Sequence, residues 1–599
     1  MLWNVVNKER GKNNCPRLDV TEVIVNTDGS QFASKKDVVD ALNNRFLGAA
    51  AACGAPRADG TRALRQLRAA LPAADRSLRL RPFSADEVYR LITSLIPPKA
   101  SMDIYGINMK LLRAAPTPLA YAMAELFNRC IREGTYPKPL KISKIAPIFK
   151  GKGKRGDMDA YRPVAIIPAM AKVLENGISR RLTSFLESTS ALSDRQHAYR
   201  AGRSTTTLTR DVVRRVVDAR ERKQHVAILC CDLSRAFDVA DHAVLTSKLR
   251  HYGIDGPTLS LFKSLLQYRS QIVVGDGGKA RSDPLETTMG VAQGSSVSNI
   301  LFSLLLNDLP HAIQAAEILM YADDVAAIVT AQSVDAIEEK LNETAAQLAQ
   351  WFNVNGLALN LKKTHYLVFN LSGRSTRPLA VSANGTALDQ LSSTGFLGFE
   401  IDTCLKWDHH IDRLSGRIGS ACFALGRVTR LVSDEVARSC YFATVHSLLQ
   451  YGAELWGRCA EWERVFRLQK RAIRIIARVP HNTPARPYFK KLGVLTLPAI
   501  VILQVAMYVR SNLSAYKTHS MVHKYNTRNA HKLVGVGCKM AKSAKLTHIM
   551  GPAVYNNLPF SITSAQSLGS FKCRLKRWLV EHPFYDYDEY LNFHKRDVK

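Results

Sequence analysis

The chain has 599 residues, of which 46% are hydrophobic, so it can bury large cores in more than one domain. Its 83 Lys and Arg residues against 51 Asp and Glu give a formal net charge of +32. This excess favours a polyanionic partner, most simply nucleic acid, over an anionic membrane, because no apolar run reaches the roughly 18 residues of a spanning helix. The eleven cysteines form no Cys-x-x-Cys pair, which argues against structural zinc and favours a reducing intracellular compartment.

The first part of the chain predicts a partly helical lead-in over residues 1–83. A helix is expected around residues 35–47, and the Ala-, Arg- and Pro-rich residues 56–82 indicate a basic linker or an isolated helix. The sequence Ser-Ala-Asp-Glu at residues 84–87 has the form of a capping box and predicts the start of a helix. A further helix is expected near residues 118–133.

Two basic segments follow, and both are candidates for phosphate contacts. Residues 141–150 form a strand pattern that carries lysines, and a Gly- and Lys-rich turn at residues 151–154 separates it from the stretch 161–168. A flexible basic loop of this kind is suited to a triphosphate or a phosphate backbone, although a solvated hairpin tip explains the lysines equally well. The polar, basic residues 196–205 predict a surface loop for phosphates.

Asp232 stands at the end of a continuous apolar run, residues 225–231, which predicts a central buried strand. A carboxylate at that point is costly unless it is paired or binds a metal ion. Further on, residues 290–296 form a glycine-containing loop that opens an apolar helix. Such a loop allows a ligand to approach the backbone closely, although a simple helix-capping loop is the commoner explanation.

A hairpin is predicted where the apolar runs 318–320 and 325–329 flank Tyr-Ala-Asp-Asp at residues 321–324. Two adjacent carboxylates at its tip repel each other, so folding alone does not explain them. A divalent cation does, because Mg²⁺ and Mn²⁺ prefer hard oxygen ligands. A solvated Asp-Asp turn is the alternative.

Asp232, Asp323 and Asp324 would converge if the strand and the hairpin belong to one sheet. Three such carboxylates suit two Mg²⁺ ions about 3.5–4 Å apart, with Mn²⁺ as the other possible metal. One ion would activate a primer 3′-hydroxyl and the other would neutralise charge on a triphosphate. Phe237 could then lie beneath the incoming sugar and exclude a 2′-hydroxyl, or it could be an ordinary core residue.

Beyond about residue 405 the pattern becomes helical. Residues 464–478 alternate an apolar face with a basic one, which suits either a helix on a nucleic-acid backbone or an ordinary surface helix. Residues 515–599 are basic and mix aromatic residues with loops.

Taken in order and at these spacings, the motifs resemble the reverse transcriptase of non-LTR (LINE-like) retrotransposons, most closely the jockey and CR1-type elements. The resemblance covers about residues 85–410 by motif. It implies an α+β right-hand polymerase with an antiparallel sheet in the palm. The implied domains are a connector (1–83), fingers and the start of the palm (84–224), the palm (225–402), a helical thumb (403–480) and a basic C-terminal domain (481–599).

The same resemblance implies roles for individual residues. Asp323 resembles the main metal ligand, with Asp232 and Asp324 beside it, and Lys363 resembles the lysine that protonates the leaving pyrophosphate. Phe237 resembles the sugar gate. Residues 196–205 resemble a template-contacting segment and residues 395–398 a primer-grip hairpin. The residues expected to bind the substrate are Gln293, Gly294, Lys150 and Arg162.

The function implied by the resemblance is RNA-directed DNA polymerisation, a nucleotidyl transfer that extends a 3′-hydroxyl primer on an RNA template. The expected partners are the RNA template, a DNA primer or target DNA and deoxynucleoside triphosphates, with no membrane and with the nucleus as the site of action. Complete elements carry an N-terminal endonuclease, which this sequence is expected to lack. The alternatives are a catalytically inactive nucleic-acid-binding remnant and, more distantly, a group II intron-type enzyme.

Overall fold

The computed structural model of the protein describes residues 19–26, 28–51, 53–97, 100–151, 153–371, 377–522 and 529–593. The first residues of the predicted lead-in (1–18) and Lys152 of the basic turn lie outside these ranges. The described chain combines many helices with antiparallel and mixed sheets. This architecture confirms the α+β expectation in its coarse form.

About half of the described residues lie in α-helices. Their bounds are Val20–Val23, Lys35–Ala51, Gly60–Ala70, Ala85–Arg90, Met109–Leu112, Pro116–Glu133, Ala169–Ser188, Thr205–Glu221, Ala236–Val239, His242–His251, Gly256–Leu266, Ser296–Leu305, Leu309–Ala312, Val334–Val354, Asp408–Val428, Asp434–Tyr441, Ser447–Gln450, Ala453–Trp456, Trp462–Ile476, Arg486–Lys491, Leu497–Ser511, His519–Val522, Thr547–Asn556, Phe560–Thr563, Leu568–Glu581 and Tyr587–Leu591. Short 3-10 or π-helical turns cover Leu91–Leu95, Lys138–Lys141, Met158–Ala160, Asp276–Gly278, Phe442–His446, Leu513–Ala515 and Ser543–Lys545.

The strands of the described residues form two larger sheets and two small hairpins. In chain order they are β1 Ile142–Phe149, β2 Tyr161–Ile166, β3 His225–Cys231, β4 Arg269–Gly275, β5 Ala280–Arg281, β6 Leu285–Thr287, β7 Glu317–Tyr321, β8 Asp324–Ala331, β9 His365–Phe369, β10 Ser382–Ala383, β11 Thr386–Ala387, β12 Asp389–Gln390, β13 Ser393–Phe396 and β14 Phe399–Asp402. The central sheet has the order β12-β9-β3-β8-β7, with β3 antiparallel to both of its neighbours.

The second sheet lies earlier in the chain and is built on β1. This strand pairs antiparallel with β2 and parallel with β4, which carries β5 and β6. The helix Lys35–Ala51 covers the sheet, because Val39 and Leu42 are fully buried in the same small core as Ile145 of β1 and Val273 of β4. The helix predicted around residues 35–47 therefore exists and is packed.

Two large cores meet at β3. Successive side chains of a strand point to opposite faces of its sheet. Ala227 and Leu229 accordingly belong to a core shared with the N-terminal helices, whereas Val226 and Ile228 belong to a core shared with residues 396–590. Both faces of the central strand are thus covered, which explains its continuous apolar sequence.

The segment predicted as a basic linker or isolated helix is neither. Within it, Gly60–Ala70 is a helix that Asp59 caps by accepting a hydrogen bond from the backbone of Arg62. Ala63 and Leu67 are fully buried in the first large core. Their spacing of four residues gives the helix one narrow apolar face, and the surrounding arginines concealed this face in the sequence.

The helices after β14 and the end of the chain pack together on the other face of the central sheet. Leu414, Ile473, Val505 and Phe571, drawn from four different helices, all lie in the second large core. Across the described residues, no helix combines the length and apolar character needed to traverse a bilayer.

Candidate active site

The predicted hairpin is confirmed and has a tight turn. Tyr321 pairs with Asp324, so Ala322 and Asp323 alone form the connection between β7 and β8. Ala322 adopts φ +54°, a left-handed conformation that favours glycine in hairpin turns of this length. Its N–H donates to Oε1 of Gln196 (3.1 Å). The side chain of Gln196 therefore stabilises a strained turn that carries the carboxylates.

Gln196 and its neighbours run along β7 instead of forming a surface loop. The N–H of Met320 donates to the carbonyl of Arg195 (2.9 Å), and the N–H of His197 donates to that of Met320 (2.9 Å). Gln196 is 2% exposed and His197 3%. The expectation of an exposed phosphate loop is wrong for these residues, because their backbone supplies the outer edge of the hairpin with hydrogen bonds.

The arginines of the same segment already have carboxylate partners. Arg200 pairs with Glu187 (2.7 Å), and Arg203 pairs with Asp194 (2.5 Å). Tyr199 differs from them, because burial and the charge of Asp323 raise the pKa of its hydroxyl. It therefore lies close enough to the hairpin tip to feel its charge. The sequence did not single it out.

Strand register places Asp232 beside the hairpin. Cys231 at the end of β3 pairs with Val325, so the following residue lies next to Asp324 at the start of β8. Oδ2 of Asp232 accepts hydrogen bonds from Nδ2 of Asn360 (3.3 Å) and from Nζ of Lys363 (3.1 Å). The structure thus brings Asp232, Asp323, Asp324 and Lys363 together at one edge of the central sheet.

The neighbouring carboxylates at this edge of the sheet repel one another, and the pKa values of two of them are raised. Burial is the largest cause that raises the pKa of Asp323, and the charge of Asp232 raises it further. Burial and the two neighbouring carboxylates raise the pKa of Asp324 to about 6. Lys363 opposes both shifts, and Arg162 opposes the first, but neither cancels them. Desolvation and mutual repulsion of the carboxylates therefore outweigh the neighbouring cations at Asp323 and Asp324.

The donor set fits a hard divalent cation. Asp232, Asp323 and Asp324 offer only carboxylate oxygens, which are the ligands that Mg²⁺ prefers. In the described ranges no three His, Cys, Asp or Glu side chains are close enough to make a complete metal site. Mg²⁺ commonly takes one or two carboxylates from a protein and its remaining ligands from substrate phosphates and water, so an incomplete protein set is consistent with it.

Lys150 and Arg162, the two cations predicted to bind substrate, belong to one positive cluster. Both side chains are exposed. Nζ of Lys150 donates to the carbonyl of Asp159 (2.6 Å). Burial lowers the pKa of Lys150, and the charges of Arg235, Arg162 and Lys363 lower it further. Four cations therefore lie near one another beside the carboxylates, an arrangement that an anionic substrate would stabilise.

The loop of Gln293 and Gly294 is held against β2. The N–H of Ala165 donates to the carbonyl of Gln293 (3.1 Å), and the side-chain amide of Gln293 donates to Asp238 (2.7 Å). Gly294 has φ +132°, and a Cβ at this position would lie 2.5 Å from the carbonyl oxygen of Ala165. Only glycine allows this approach, so the loop is a fixed part of the site and more than a helix cap.

Phe237 follows Asp232 by five residues and is bonded to this loop through its backbone. Its ring stacks on Phe302 with the centroids 4.2 Å apart, and its carbonyl accepts a hydrogen bond from the N–H of Val291 (2.7 Å). The side chain is half-buried. One face of the Phe237 ring is therefore packed against the core. The role of the residue as a sugar gate stays a prediction.

A buried polar network beneath the loop is absent from the sequence-based predictions. Glu175 is buried, and it accepts hydrogen bonds from Tyr136 (3.0 Å) and Ser295. Burial raises the pKa of its carboxyl to about 7. Arg269 nearby donates to the carbonyl of Gly290 (2.8 Å). No sequence signal separates Glu175 from the other polar residues of its amphipathic helix.

The predicted hairpin at residues 395–398 also exists, as β13 and β14. Its turn residues Leu397 and Gly398 have φ +48° and +86°. The hydroxyl of Tyr451 donates to the carbonyl of Leu397, and Arg413 bonds Glu400 and Gly398. The hairpin is thus fixed to the helical half of the chain, and its predicted contact with a primer stays a prediction.

Comparisons with known proteins agree with this arrangement. Residues 150–401 match the family model described as reverse transcriptase (RNA-dependent DNA polymerase). The chain is 27% identical over 434 residues to a probable RNA-directed DNA polymerase from transposon BS of Drosophila melanogaster, covering 70% of this chain and 47% of the relative. It is also 27% identical over 434 residues to the RNA-directed DNA polymerase from the mobile element jockey of the same species, covering 70% and 46%.

A third relative, a probable RNA-directed DNA polymerase from transposon X-element of Drosophila melanogaster, is 25% identical over 407 residues, with 66% of this chain and 44% of the relative covered. The chain spans a little under half the length of these relatives. The matched region contains every residue that the sequence predicted for the site. Over this region the chain is similar to the reverse transcriptases of non-LTR retrotransposons.

Proposed function

We propose that the protein is an RNA-directed DNA polymerase that extends a 3′-hydroxyl primer on an RNA template. The observation that carries the proposal is the grouping of Asp232, Asp323 and Asp324 at one sheet edge, where burial and carboxylate repulsion raise the pKa of Asp323 and that of Asp324. Its substrates are deoxynucleoside triphosphates, and its partners are the template and a DNA primer or target DNA. The site of action is the nucleus.

The proposal includes a right-hand layout of the chain. Residues 84–224 serve as fingers and the start of the palm, 225–402 as the palm, 403–480 as the thumb and 481–599 as a basic C-terminal domain. The central sheet with the carboxylates supports the palm assignment. The shared core of residues 396–590 supports a thumb and a C-terminal domain that move as one body.

In the proposed mechanism Asp232, Asp323 and Asp324 would hold two Mg²⁺ ions, with Asp323 as the main ligand. Bound there, the metal would lower the pKa of the primer hydroxyl and neutralise charge on the triphosphate. Lys363 holds a proton at Nζ within 3.1 Å of Asp232 and would give it to the departing pyrophosphate. Its exposure, 67% of the side chain, leaves it free to change partner.

The remaining residues position the nucleotide. The exposed side chains of Lys150 and Arg162 would bind the triphosphate as cations. Gln293 and Gly294 would present backbone close to the base and sugar, because the contact with Ala165 fixes their loop. Phe237, supported from one side by Phe302, would fill the space of a 2′-hydroxyl and so select deoxynucleotides.

Primer extension on an RNA template with Mg²⁺ tests the proposal. Asp323→Asn keeps the size of the side chain and removes the charge, and should lower the extension rate at least about a hundredfold, the loss typical for a group that stabilises transition-state charge. Urea unfolding should show no loss of stability, because the substitution relieves repulsion. Asp335→Asn, at a carboxylate 86% exposed and away from the site, is the matched control.

Two results would contradict the proposal. Extension that persists in the Asp323→Asn variant would remove this carboxylate from the mechanism. A folded wild-type protein that binds RNA but extends no primer would favour an inactive nucleic-acid-binding remnant instead.

A further inference from the structure

Buried groups hold the segment 290–295, here called the nucleotide loop, at both of its ends. The segment lies between β6 and the helix Ser296–Leu305. At its first residue, Gly290, the carbonyl accepts a hydrogen bond from Arg269 (2.8 Å) and the N–H donates to the carbonyl of Ala240 (2.9 Å). At its last residue, the hydroxyl of Ser295 donates to Glu175. The nucleotide loop is thus anchored to different parts of the fold at its two ends.

The anchor at Ser295 belongs to a larger junction between two helices. Oγ of Ser295 also accepts a hydrogen bond from the N–H of Ser298 (3.2 Å) and so caps the helix that follows the loop. Glu175 lies on the helix Ala169–Ser188, and its neighbour Asn176 donates to Oγ of Ser296 (2.8 Å). Successive side chains of one helix therefore fix the point where the nucleotide loop ends and the next helix begins.

A carboxylate is a costly choice for this junction. Glu175 is 4% exposed, and both of its hydrogen-bond donors in the described structure are neutral hydroxyls, those of Ser295 and Tyr136 (3.0 Å). Burial accordingly raises the pKa of the Glu175 carboxyl to about 7. An apolar side chain would avoid this cost. A carboxylate, however, presents two acceptor oxygens and no donor when ionised, so it accepts from both hydroxyls at once.

The two hydrogen bonds of Glu175 lead to different parts of the molecule. The backbone N–H of Tyr136 donates to Ser264 (2.9 Å), so this side of the network lies in the first large core. Ser295 instead follows Gly294, where a Cβ would lie only 2.5 Å from the carbonyl oxygen of Ala165. Because the loop and β2 are already in close contact there, a displacement of Ser295 must change how the loop lies on β2.

We propose that Glu175 is a positioning residue, which fixes the nucleotide loop through Ser295 and thereby sets the affinity for the incoming deoxynucleoside triphosphate. This role rests on the proposed function. Glu175 itself touches no substrate. Its effect reaches the nucleotide through Gln293, whose carbonyl accepts a hydrogen bond from Ala165 on β2, the strand that also carries Arg162.

Primer extension at varied nucleotide concentration tests the proposal. Ser295→Ala removes the bond to Glu175 from the side of the loop. It should raise KM for the nucleotide about tenfold and lower kcat less than about threefold, because a hydrogen bond that positions a binding group is lost. Ser333→Ala is the control for the lost helix cap, since Ser333 caps the surface helix Val334–Val354 in the same way, and it should change neither constant.

Two further variants separate positioning from general stability. Tyr136→Phe removes the other hydrogen bond of the same carboxylate, so it should lower the thermal midpoint and leave KM within about twofold of the wild type. Glu175→Leu removes both acceptors and should raise KM at least as much as Ser295→Ala. The double variant Glu175→Leu, Ser295→Ala should add little to the larger of the two KM changes, since both substitutions break one bond.

Hydrogen exchange in the metal-free protein measures the position of the loop without any activity. The amide of Ala165, which is bonded to Gln293, should exchange about tenfold faster in Ser295→Ala and at the wild-type rate in Tyr136→Phe. A wild type that extends no primer refutes the proposed function, and the exchange rates alone then decide whether Glu175 holds the loop. The proposal is overturned if Ser295→Ala leaves both KM and the exchange of Ala165 unchanged, or if Tyr136→Phe alters them as much.

Discussion

Two regions of this protein hold carboxylates that differ in how their charge is neutralised. Asp308 is fully buried, and its oxygens accept hydrogen bonds from Lys248 (2.5 Å) and from the indole of Trp351 (3.2 Å). Lys248 is fully buried as well and also donates to the carbonyl of Leu305 (2.7 Å). At the hairpin, Asp323 is half-buried and Asp324 is exposed, and the two carboxylates lie beside each other and beside a third.

The difference separates a structural charge from a functional one. The charge of Asp308 is neutralised within the fold by Lys248, so removing this partner should destabilise the fold. The charges of Asp323 and Asp324 are neutralised only in part. Removing one of these charges should therefore leave the fold intact and weaken the binding of a ligand at the hairpin. Two changes test this distinction, and two more test the turn that carries the functional charges.

The largest effect on stability is expected for Lys248→Met. Breaking a buried ion pair leaves one charge without a partner, and such changes cost about 3 to 5 kcal/mol. Urea unfolding should show a loss of this size. The double variant Lys248→Met, Asp308→Leu should recover much of it, since an apolar pair replaces the buried charges. A single variant as stable as the wild type would show that the pair is not structural.

A smaller effect is expected from pH. The folded pKa of Asp324, about 6, lies above the ordinary aspartate pKa of 3.8. The metal-free fold is therefore more stable below pH 3.8, and this gain is lost as pH rises through about 6; solvent screening reduces the gain because Asp324 is exposed. Mg²⁺ needs the ionised form, so its affinity should fall up to tenfold for each pH unit below about 6.

Calorimetric Mg²⁺ titration across this window, with urea unfolding in parallel, measures both trends. In Asp324→Asn both pH steps should shrink, because the group that titrates is gone. A Mg²⁺ affinity that stays constant from pH 7 to pH 5 in the wild type would contradict the raised pKa of Asp324 and its role as a metal ligand.

Gln196→Leu should act on both stability and activity. It leaves the buried N–H groups of Ala198 and Ala322 without their acceptor, at a cost of about 1 to 3 kcal/mol. Because the hairpin tip then loses its support, primer extension should fall more than unfolding explains. The comparison is with Gln347→Leu, whose amide lies on a surface helix and bonds exposed partners. Equal losses in both variants would remove the positioning role.

The smallest effect is expected for Ala322→Gly. Glycine adopts the observed φ of +54° without strain, so stability should change by about 1 kcal/mol or less, upwards if the strain outweighs the added freedom of the unfolded chain. Thermal unfolding of this variant alone and combined with Gln196→Leu is the measurement. If glycine does not lessen the loss caused by Gln196→Leu, the two residues do not support the same turn.

Local patterns allowed much of this structure to be predicted. Alternation of apolar and polar residues predicted the hairpin at residues 321–324 and the buried strand before Asp232, and Ser84 does cap its helix. These features depend on neighbours in the sequence. The grouping of Asp232 with Asp324 depends on β3 pairing with β8, about 90 residues later, so the sequence predicts it only on the condition that the two elements share one sheet.

The features that the sequence did not reveal all depend on distant partners. Gln196 lies in a polar, basic stretch, and its burial follows only from its place beside β7. Lys248 and Asp308 are ordinary charged residues until two helices bring them together. The bond between Ser295 and Glu175 joins residues 120 positions apart and is visible only in the fold.

The division of β3 between two cores has a consequence for anyone who wishes to dissect the protein. A fragment that ended after β14 would keep every proposed catalytic residue, yet it would expose the face of the sheet that carries Val226, Ile228, Ile328, Leu367 and Phe369. Such a fragment would aggregate through that uncovered surface. The region that carries the proposed catalytic residues is therefore not expected to fold on its own. The C-terminal half of the chain covers one face of the sheet on which those residues lie.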